Sequence, residues 1–317
     1  MQLRHTLTIC LLILTIASLA ISLAAYIPGL WLCDLASQLR LAWLWALLPI
    51  STILGIIEAK KSFAISLLAM LIDGLPVAQL YLPALPIAGA PSRVLTLLNY
   101  NTEFQHNIRH DLLGRLIADR KPDVVAMVEI NDDWFRSALH FLQEFKYHNF
   151  EPAGAGMAFF SKYPITAYQV RSFGRSHHPR IFITLDVDGQ AVDMVLAHPT
   201  TPRSQECFDE RNAEILEMAK EIASLKNPRI LVGDLNCGPW SHALNPLRDA
   251  GLRDSQQGFG PQASWPARTG RVMPGMPIPP LIPIDHVFVD GRFRVKSRVA
   301  GPAINSDHLP VTVVLEL

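Results

Sequence analysis

The distribution of apolar positions splits the chain into two regimes. From Thr6 to Leu32 there is no charged residue, and such a run exceeds the roughly 20 apolar residues that a helix needs to cross a bilayer. Leu41 to Ile57 is a second uncharged run, with Trp43 and Trp45 near one end, where interfacial aromatics sit well. Phe63 to Leu82 is a third and more marginal one. Its ten Leu, Ile, Phe or Val residues favour insertion by roughly 0.3–0.6 kcal/mol each, against about 2.5–3.5 kcal/mol for Asp73 near the centre. Gly74, Pro76 and Gln79 add to that cost. With no partner visible in the sequence, Asp73 reads as a neutralised or snorkelling acid. Residues 1–90 are therefore expected to form a membrane region of two or three transmembrane helices and a linker.

Ser18-Leu19-Ala20 has the small-residue spacing of a cleavage site. The apolar run is long for a signal peptide, however, and a second follows closely, which favours an uncleaved anchor. Arg4 and Lys60-Lys61 on the cytoplasmic side agree with two crossings under the positive-inside rule. A third crossing would put everything after about Pro86 outside the cytoplasm; without it the same residues stay inside. The expected location is the cell (inner) membrane, multi-pass, with an extracytoplasmic soluble half. Pro83, Pro86 and Pro91 mark the linker.

Beyond the linker, residues 91–317 alternate short apolar runs with polar, helix-like stretches. Arg93–Leu98, Val124–Val128, Met157–Phe160, Ile181–Val187, Ala191–Ala197, Ile230–Val232, Val287–Val289 and Val311–Leu315 read as strands, with Asp188-Gly189 as a hairpin turn. Asn107–Asp119 and Glu206–Leu225 read as helices. Strands and helices without strict alternation predict a layered α/β (α+β) sandwich. The Gly- and Pro-rich segment from Gly258 to Pro283 reads as a long loop.

Composition narrows the chemistry. Lys plus Arg and Asp plus Glu both number 28, a balance unlike that of a protein that wraps nucleic acid by neutralising its phosphates. Cys10, Cys33, Cys207 and Cys237 form no CxxC pair, which argues against a thiolate zinc site. A Cys207–Cys237 disulfide is possible in an oxidising compartment, with two buried thiols as the blander reading.

Acids, amides and histidines stand at the ends of the apolar runs. Asn99 and Asn101 close the first, Glu129 the second and His198 the Ala191–Ala197 run; Asp234 and Asn236 follow Ile-Leu-Val-Gly. Asp285 and His286 open Val287–Val289, and Asp307-His308 precede the last run. Singly, each is explained as a turn former or cap; six strand ends with such side chains together point to a site. These segments also carry a resemblance. Leu97-Leu98-Asn99-Tyr100-Asn101, Pro122 to Glu129, Gly233-Asp234-Leu235-Asn236, Ile284-Asp285-His286-Val287 and Ser306-Asp307-His308-Leu309-Pro310 resemble, in order, the motifs of the endonuclease/exonuclease/phosphatase family, in a membrane-anchored bacterial form. His198 stands where the family commonly has Thr-His, with Ala197 replacing the Thr.

The resemblance implies a four-layer sandwich of two β-sheets flanked by helices, with the site at one sheet edge, and hydrolysis of a phosphodiester. Hard oxygen ligands suit Mg²⁺, with Mn²⁺ as an alternative. Glu129 is the expected metal carboxylate, with Asn99 bracing it and Asp307 a further ligand. Asp234 would orient or deprotonate the attacking water, Asn236 would hold a phosphate oxygen, and His308 and His198 would contact the phosphate. By resemblance, Asp285 would orient His308. Asn101, Arg180, on a polar stretch with His177 and His178, and Trp265, in the long loop, are further candidates for substrate contact. The expected partners are a phosphodiester (nucleic acid or lipid headgroup) and the membrane, with no protein partner. The competing function is a non-catalytic membrane-anchored binding or scaffold module on the same fold.

Overall fold

A computed structural model of the protein describes residues 2–83, 93–175, 177–267 and 279–317. The Pro83–Pro91 linker falls largely outside the described residues, as does the middle of the Gly258–Pro283 loop.

The N-terminal region contains helices α1 (Gln2–Ala24), α2 (Trp31–Gln38), α3 (Arg40–Ile56) and α4 (Lys60–Gln79). By length and composition α1 and α4 can each cross a membrane, and α2 with α3 forms a third candidate bent by 63°. The first apolar run does not continue as one helix to Leu32. It stops at Ala24, Pro28 and Gly29 follow, with Gly29 at φ +81°, and α2 starts anew at Trp31. Asp73, which showed no partner in the sequence, has two: Arg40 Nη1 donates to its Oδ1 at 3.0 Å and Ser22 Oγ to its Oδ2 at 2.5 Å. An acid inside an apolar bundle is tolerated when paired in this way.

The rest of the chain forms the predicted sandwich. One sheet has the order β11-β12-β1-β2-β4-β3 and the other β5-β6-β7-β8-β10-β9. The strands are β1 (Val94–Asn101), β2 (Val124–Val128), β3 (Tyr147–Glu151), β4 (Met157–Ser161), β5 (Ile165–Phe173), β6 (His178–Val187), β7 (Gln190–Ala197), β8 (Arg229–Asp234), β9 (Leu252–Asp254), β10 (Asp285–Asp290), β11 (Arg294–Ala300) and β12 (Val311–Glu316). Helices α5 (His110–Arg120) and α6 (Asp132–Phe141) cover the first sheet; α7 (Gln205–Ser224) and α8 (Asn245–Asp249) cover the second. Alternate residues of the central strands, among them Leu97, Val124, Phe159, Ile183, Val232 and Val313, fill the space between the sheets.

Strand direction determines where the polar ends gather. β1 and β2 run parallel, as do β7 and β8, so their C-terminal ends share one edge of the sandwich. β12 is antiparallel to β1 and β10 to β8, so the starts of β12 and β10 lie at that same edge. In this register Asp285 sits opposite Asp234.

The helical region is also fastened to this edge. Asp34 of α2 is buried and accepts from Ser241 Oγ at 2.5 Å, from Arg211 Nη2 at 3.1 Å and from Gln38 Nε2 at 3.1 Å. Gln38 Oε1 accepts from the backbone N–H of Gly238, and Trp240 Nε1 donates to the Pro76 carbonyl of α4 at 3.2 Å.

Candidate active site

Asn101 is the hub of the site. It is the last residue of β1, fully buried, and its Nδ2 donates to Glu129 Oε1 at 3.0 Å and to Asp234 Oδ2 at 3.1 Å. The same nitrogen lies 3.4 Å from His308 Nε2. Glu129 directly follows β2 in the left-handed region, at φ +51°, a conformation that costs a non-glycine residue energy and turns its carboxylate into the cleft. His198, one residue beyond β7, places Nε2 at 3.6 Å from Glu129 Oε1 and 3.7 Å from Asp234 Oδ2.

The Gly-Asp turn owes its sequence to close packing. Gly233 has φ +143°, and a Cβ there would lie 1.9 Å from the carbonyl oxygen of Ala197 on β7. Only glycine lets β8 and β7 approach so closely that Asp234 and His198 emerge side by side. Asn236 is at φ +53°, its N–H donating to Asp234 Oδ1 at 2.8 Å and its Nδ2 to the Pro199 carbonyl at 2.9 Å. Arg211 Nη1 donates to the Asn236 carbonyl at 2.9 Å, linking this turn to Asp34 of α2.

His308 Nδ1 lies 2.8 Å from Asp285 Oδ2, and its Nε2 3.7 Å from Asp234 Oδ2. Burial alone would lower the pKa of His308, but Asp285 and Asp234 outweigh it and push it up to about 10. Burial raises the carboxyl of Asp234, with His308 and His198 pulling the other way. Burial would also raise Asp285, yet His308 and Ser264 hold it below the ordinary carboxylate range. Two acids of one constellation thus stand in opposite environments, an arrangement that suits proton-transfer work.

Glu129, His198 and Asp234 each offer a ligand atom within 4.8 Å of the other two. The two carboxylates, with Asn101 and Asp307 nearby, supply the oxygen donors that suit a hard divalent cation, and the His198 imidazole stands beside them as a softer donor. Asp307 is held by its N–H, which donates to Glu103 Oε2 at 2.8 Å, and by Trp265 Nε1, which donates to its Oδ2 at 3.3 Å. Glu103 was not singled out in the sequence, although it follows Asn101 by two residues and is buried beside the cleft.

Two sequence expectations are corrected. Asn99 shares the inward face of β1 with Asn101 but lies two residues deeper between the sheets. Its amide has no hydrogen-bond partner among the described residues, whereas the Asn101 amide bonds Glu129, so the amide beside Glu129 belongs to Asn101. Arg180 is not on a polar loop. It lies within β6, is fully buried, and its Nη2 pairs with Glu214 Oε2 at 2.9 Å, outside the cleft lining. Burial lowers its pKa, with Glu214 opposing. Trp265 does line the cleft, alongside His178. Cys207 and Cys237 are free thiols, and burial pushes Cys237 up to about 12, which removes it as a nucleophile.

The sequence profile described as "Endonuclease/Exonuclease/phosphatase family" matches residues 98–308. The chain belongs to this family. No curated protein matches it in sequence. Solved structures with the same fold include D. rerio TDP2 complexed with a single-strand DNA product, at 13% identity and TM-score 0.59, covering 71% of this chain and 99% of that one. The endonuclease/exonuclease/phosphatase family protein from Bacteroides thetaiotaomicron is similar at 16% identity and TM-score 0.58, covering 72% and 99%. The one from Beutenbergia cavernae DSM 12333 has 20% identity and TM-score 0.56, covering 71% and 72%. Members of this family commonly hydrolyse phosphodiester bonds and are typically dependent on a divalent metal.

Proposed function

We propose that the protein is a membrane-anchored, divalent-metal-dependent phosphodiester hydrolase. The observation that carries this reading is the convergence of Glu129, His198, Asp234 and His308 from four separate strand ends onto one cleft, with the buried Asn101 amide of a fifth joining Glu129 and Asp234 behind it. A decayed scaffold would not be expected to keep buried, mutually bonded acids and histidines there at the cost of desolvating them.

Glu129 would hold the cation, with Asn101 bracing it and Asp307 as a further ligand at the rim, and His198 would contact the phosphate. When bound, Mg²⁺ or Mn²⁺ would neutralise charge on the phosphoryl oxygens and polarise the phosphorus centre. Asp234, raised by burial, is placed to orient the attacking water and accept its proton. His308, kept protonated by Asp285 and Asp234, would donate to the phosphate. Asn236 would hold a non-bridging oxygen through its side chain. Asp285 would be a positioning residue that fixes the ring orientation and charge of His308.

The helical region supports the anchoring. We infer three crossings, with α2 lying at the bilayer surface and the hydrolase on the side opposite the Arg4 and Lys60-Lys61 ends. On this reading the site would lie outside the cytoplasm, which the positive-inside rule supports. The test of the chemistry is hydrolysis of bis-p-nitrophenyl phosphate by the full chain in detergent. Activity is expected with Mg²⁺ or Mn²⁺, abolished by EDTA, and reduced by about 10³-fold or more in Asp234→Asn. Metal-independent turnover, or an unimpaired Asp234→Asn variant, would refute the assignment.

A further inference from the structure

The cleft has a volume of about 600 Å³, and its wall includes a piece of the membrane region. Leu35 and Gln38 of α2 line it together with Asp234, Asn236 and His198. This contact is fixed, because Asp34, one residue before Leu35, is bonded to Arg211 and Ser241, and Gln38 accepts from Gly238. We propose, on the basis of the phosphodiesterase reading above, that the substrate is a lipid whose phosphodiester headgroup enters the cleft from the bilayer surface along α2.

Three independent features favour an amphiphile. The first is the surface beside the entrance. Ile27, Leu30, Leu32 and Leu35 are exposed, Leu32 to 68%, and they continue the exposed apolar end of α1 at Leu23 and Tyr26. An apolar patch contiguous with membrane-spanning helices is covered by lipid, which puts the mouth of the cleft at headgroup depth. The second is the charge of the lining. Among the described residues, Arg203 is the only Lys or Arg that lines the cleft, against Glu103, Glu129, Asp234 and Asp307. A nucleic acid strand carries successive phosphates that need a trail of Lys and Arg; a lipid headgroup brings one phosphodiester to one cation. The third is the apolar share of the wall, where Met157, Trp265, Ile282 and Ile284 line the cleft with the acids and can take the non-phosphate part of an amphiphile.

In the reaction, the oxygen of water bonds to phosphorus and one P–O ester bond breaks. The proton of the water goes to Asp234, and His308 supplies a proton to the leaving oxygen. A phosphomonoester and an alcohol result, with no other reactant consumed.

The test uses the full chain reconstituted in vesicles with Mg²⁺. Vesicles of dioleoyl phosphatidylglycerol, phosphatidylethanolamine and phosphatidylcholine are compared with the deacylated, water-soluble counterparts of the same headgroups. A single-stranded DNA 12-mer and bis-p-nitrophenyl phosphate complete the panel. At least one vesicle lipid should be hydrolysed with a kcat/KM tenfold or more above its soluble counterpart and above the DNA. Leu30→Glu combined with Leu32→Glu should lower the ratio of lipid to soluble turnover by at least tenfold. Equal rates on lipid and deacylated substrate, preference for DNA, or an unchanged ratio in the double variant would overturn the proposal while leaving the hydrolase reading standing. Failure to cleave any substrate, bis-p-nitrophenyl phosphate included, would overturn both.

Discussion

Asn99 and Asn101 show how far a single residue's role can be read from a strand pattern. Both face the interior, since residues two apart on a strand share a side, and nothing in Leu-Leu-Asn-Tyr-Asn tells which amide reaches the edge. Pairing of β1 with β2 decides it, by setting Asn101 opposite Val128 and next to Glu129. Asn101→Ala should therefore lower kcat by about 10²-fold or more, as for loss of one preorganised donor. Asn99→Leu should keep activity and raise stability by about 1 kcal/mol, since it replaces buried, unpaired amide atoms by an apolar side chain of similar size. Thermal unfolding and the phosphodiesterase assay on both variants check this. The placement of Asp234 and His308 at the cleft was legible, because each sits at or close to the end of an apolar strand inside a specific short motif. Glu103 was not, because its neighbours Thr102 and Phe104 give no pattern and its partner Asp307 lies 204 positions away.

Asp254 makes a further residue-level prediction. It is buried at the end of β9, 2.7 Å from His286 Nδ1, while His286 Nε2 lies 2.7 Å from the Cys237 carbonyl. Burial would raise this carboxyl, but His286 and Arg298 pull it down to about 2. A depressed acid stabilises the fold above its unfolded pKa and loses that contribution as pH falls through the folded value. The pair should thus contribute about 2 kcal/mol at neutral pH, lost between about pH 4 and pH 2. Asp254→Asn should be less stable at neutral pH and show a flatter acid limb in urea unfolding; an unchanged limb would contradict the pairing.

At the scale of elements, the eight interior strands were visible in the sequence and the four edge strands β3, β5, β9 and β11 were not. Interior strands are buried on both faces and read as apolar runs. Edge strands keep polar and charged positions that discourage pairing with other chains, as in Arg-Val-Lys-Ser-Arg-Val-Ala of β11. Helix α6 was missed for a related reason, since its apolar stripe alternates with Asp132, Asp133 and Arg136. Helix α2 was missed because the first apolar run ended at Leu32 and the second began at Leu41, so most of Trp31–Gln38, Asp34 included, fell in the gap between them. Asp34→Ala would leave Arg211 without its carboxylate and loosen the turn that holds Asn236. We expect kcat to fall by about tenfold with KM little changed, and Asp34→Glu to recover part of the loss, because the turn is positioned and not chemically altered. A uniform loss of folded protein in place of a kcat effect would make Asp34 purely structural.

At the scale of the molecule, the paired Asp73 removes the main cost that made the third span doubtful, because a bonded acid need not be dragged bare into hydrocarbon. The sequence lacked this because Arg40 and Ser22 are 33 and 51 positions away. With three crossings, an alkaline phosphatase fusion after Leu317 should be active and a green fluorescent protein fusion dark; the reverse result would place the hydrolase in the cytoplasm.

The fastening of α2 to the Asn236 turn has a practical consequence for anyone who cuts the chain at the linker. A protein beginning near Arg93 would keep the two sheets and the acid cluster, yet Arg211, Ser241 and the Gly238 N–H would face water where Asp34 and Gln38 had been. Such a fragment should turn over phosphodiester more slowly than the full chain, by whatever its missing wall contributes.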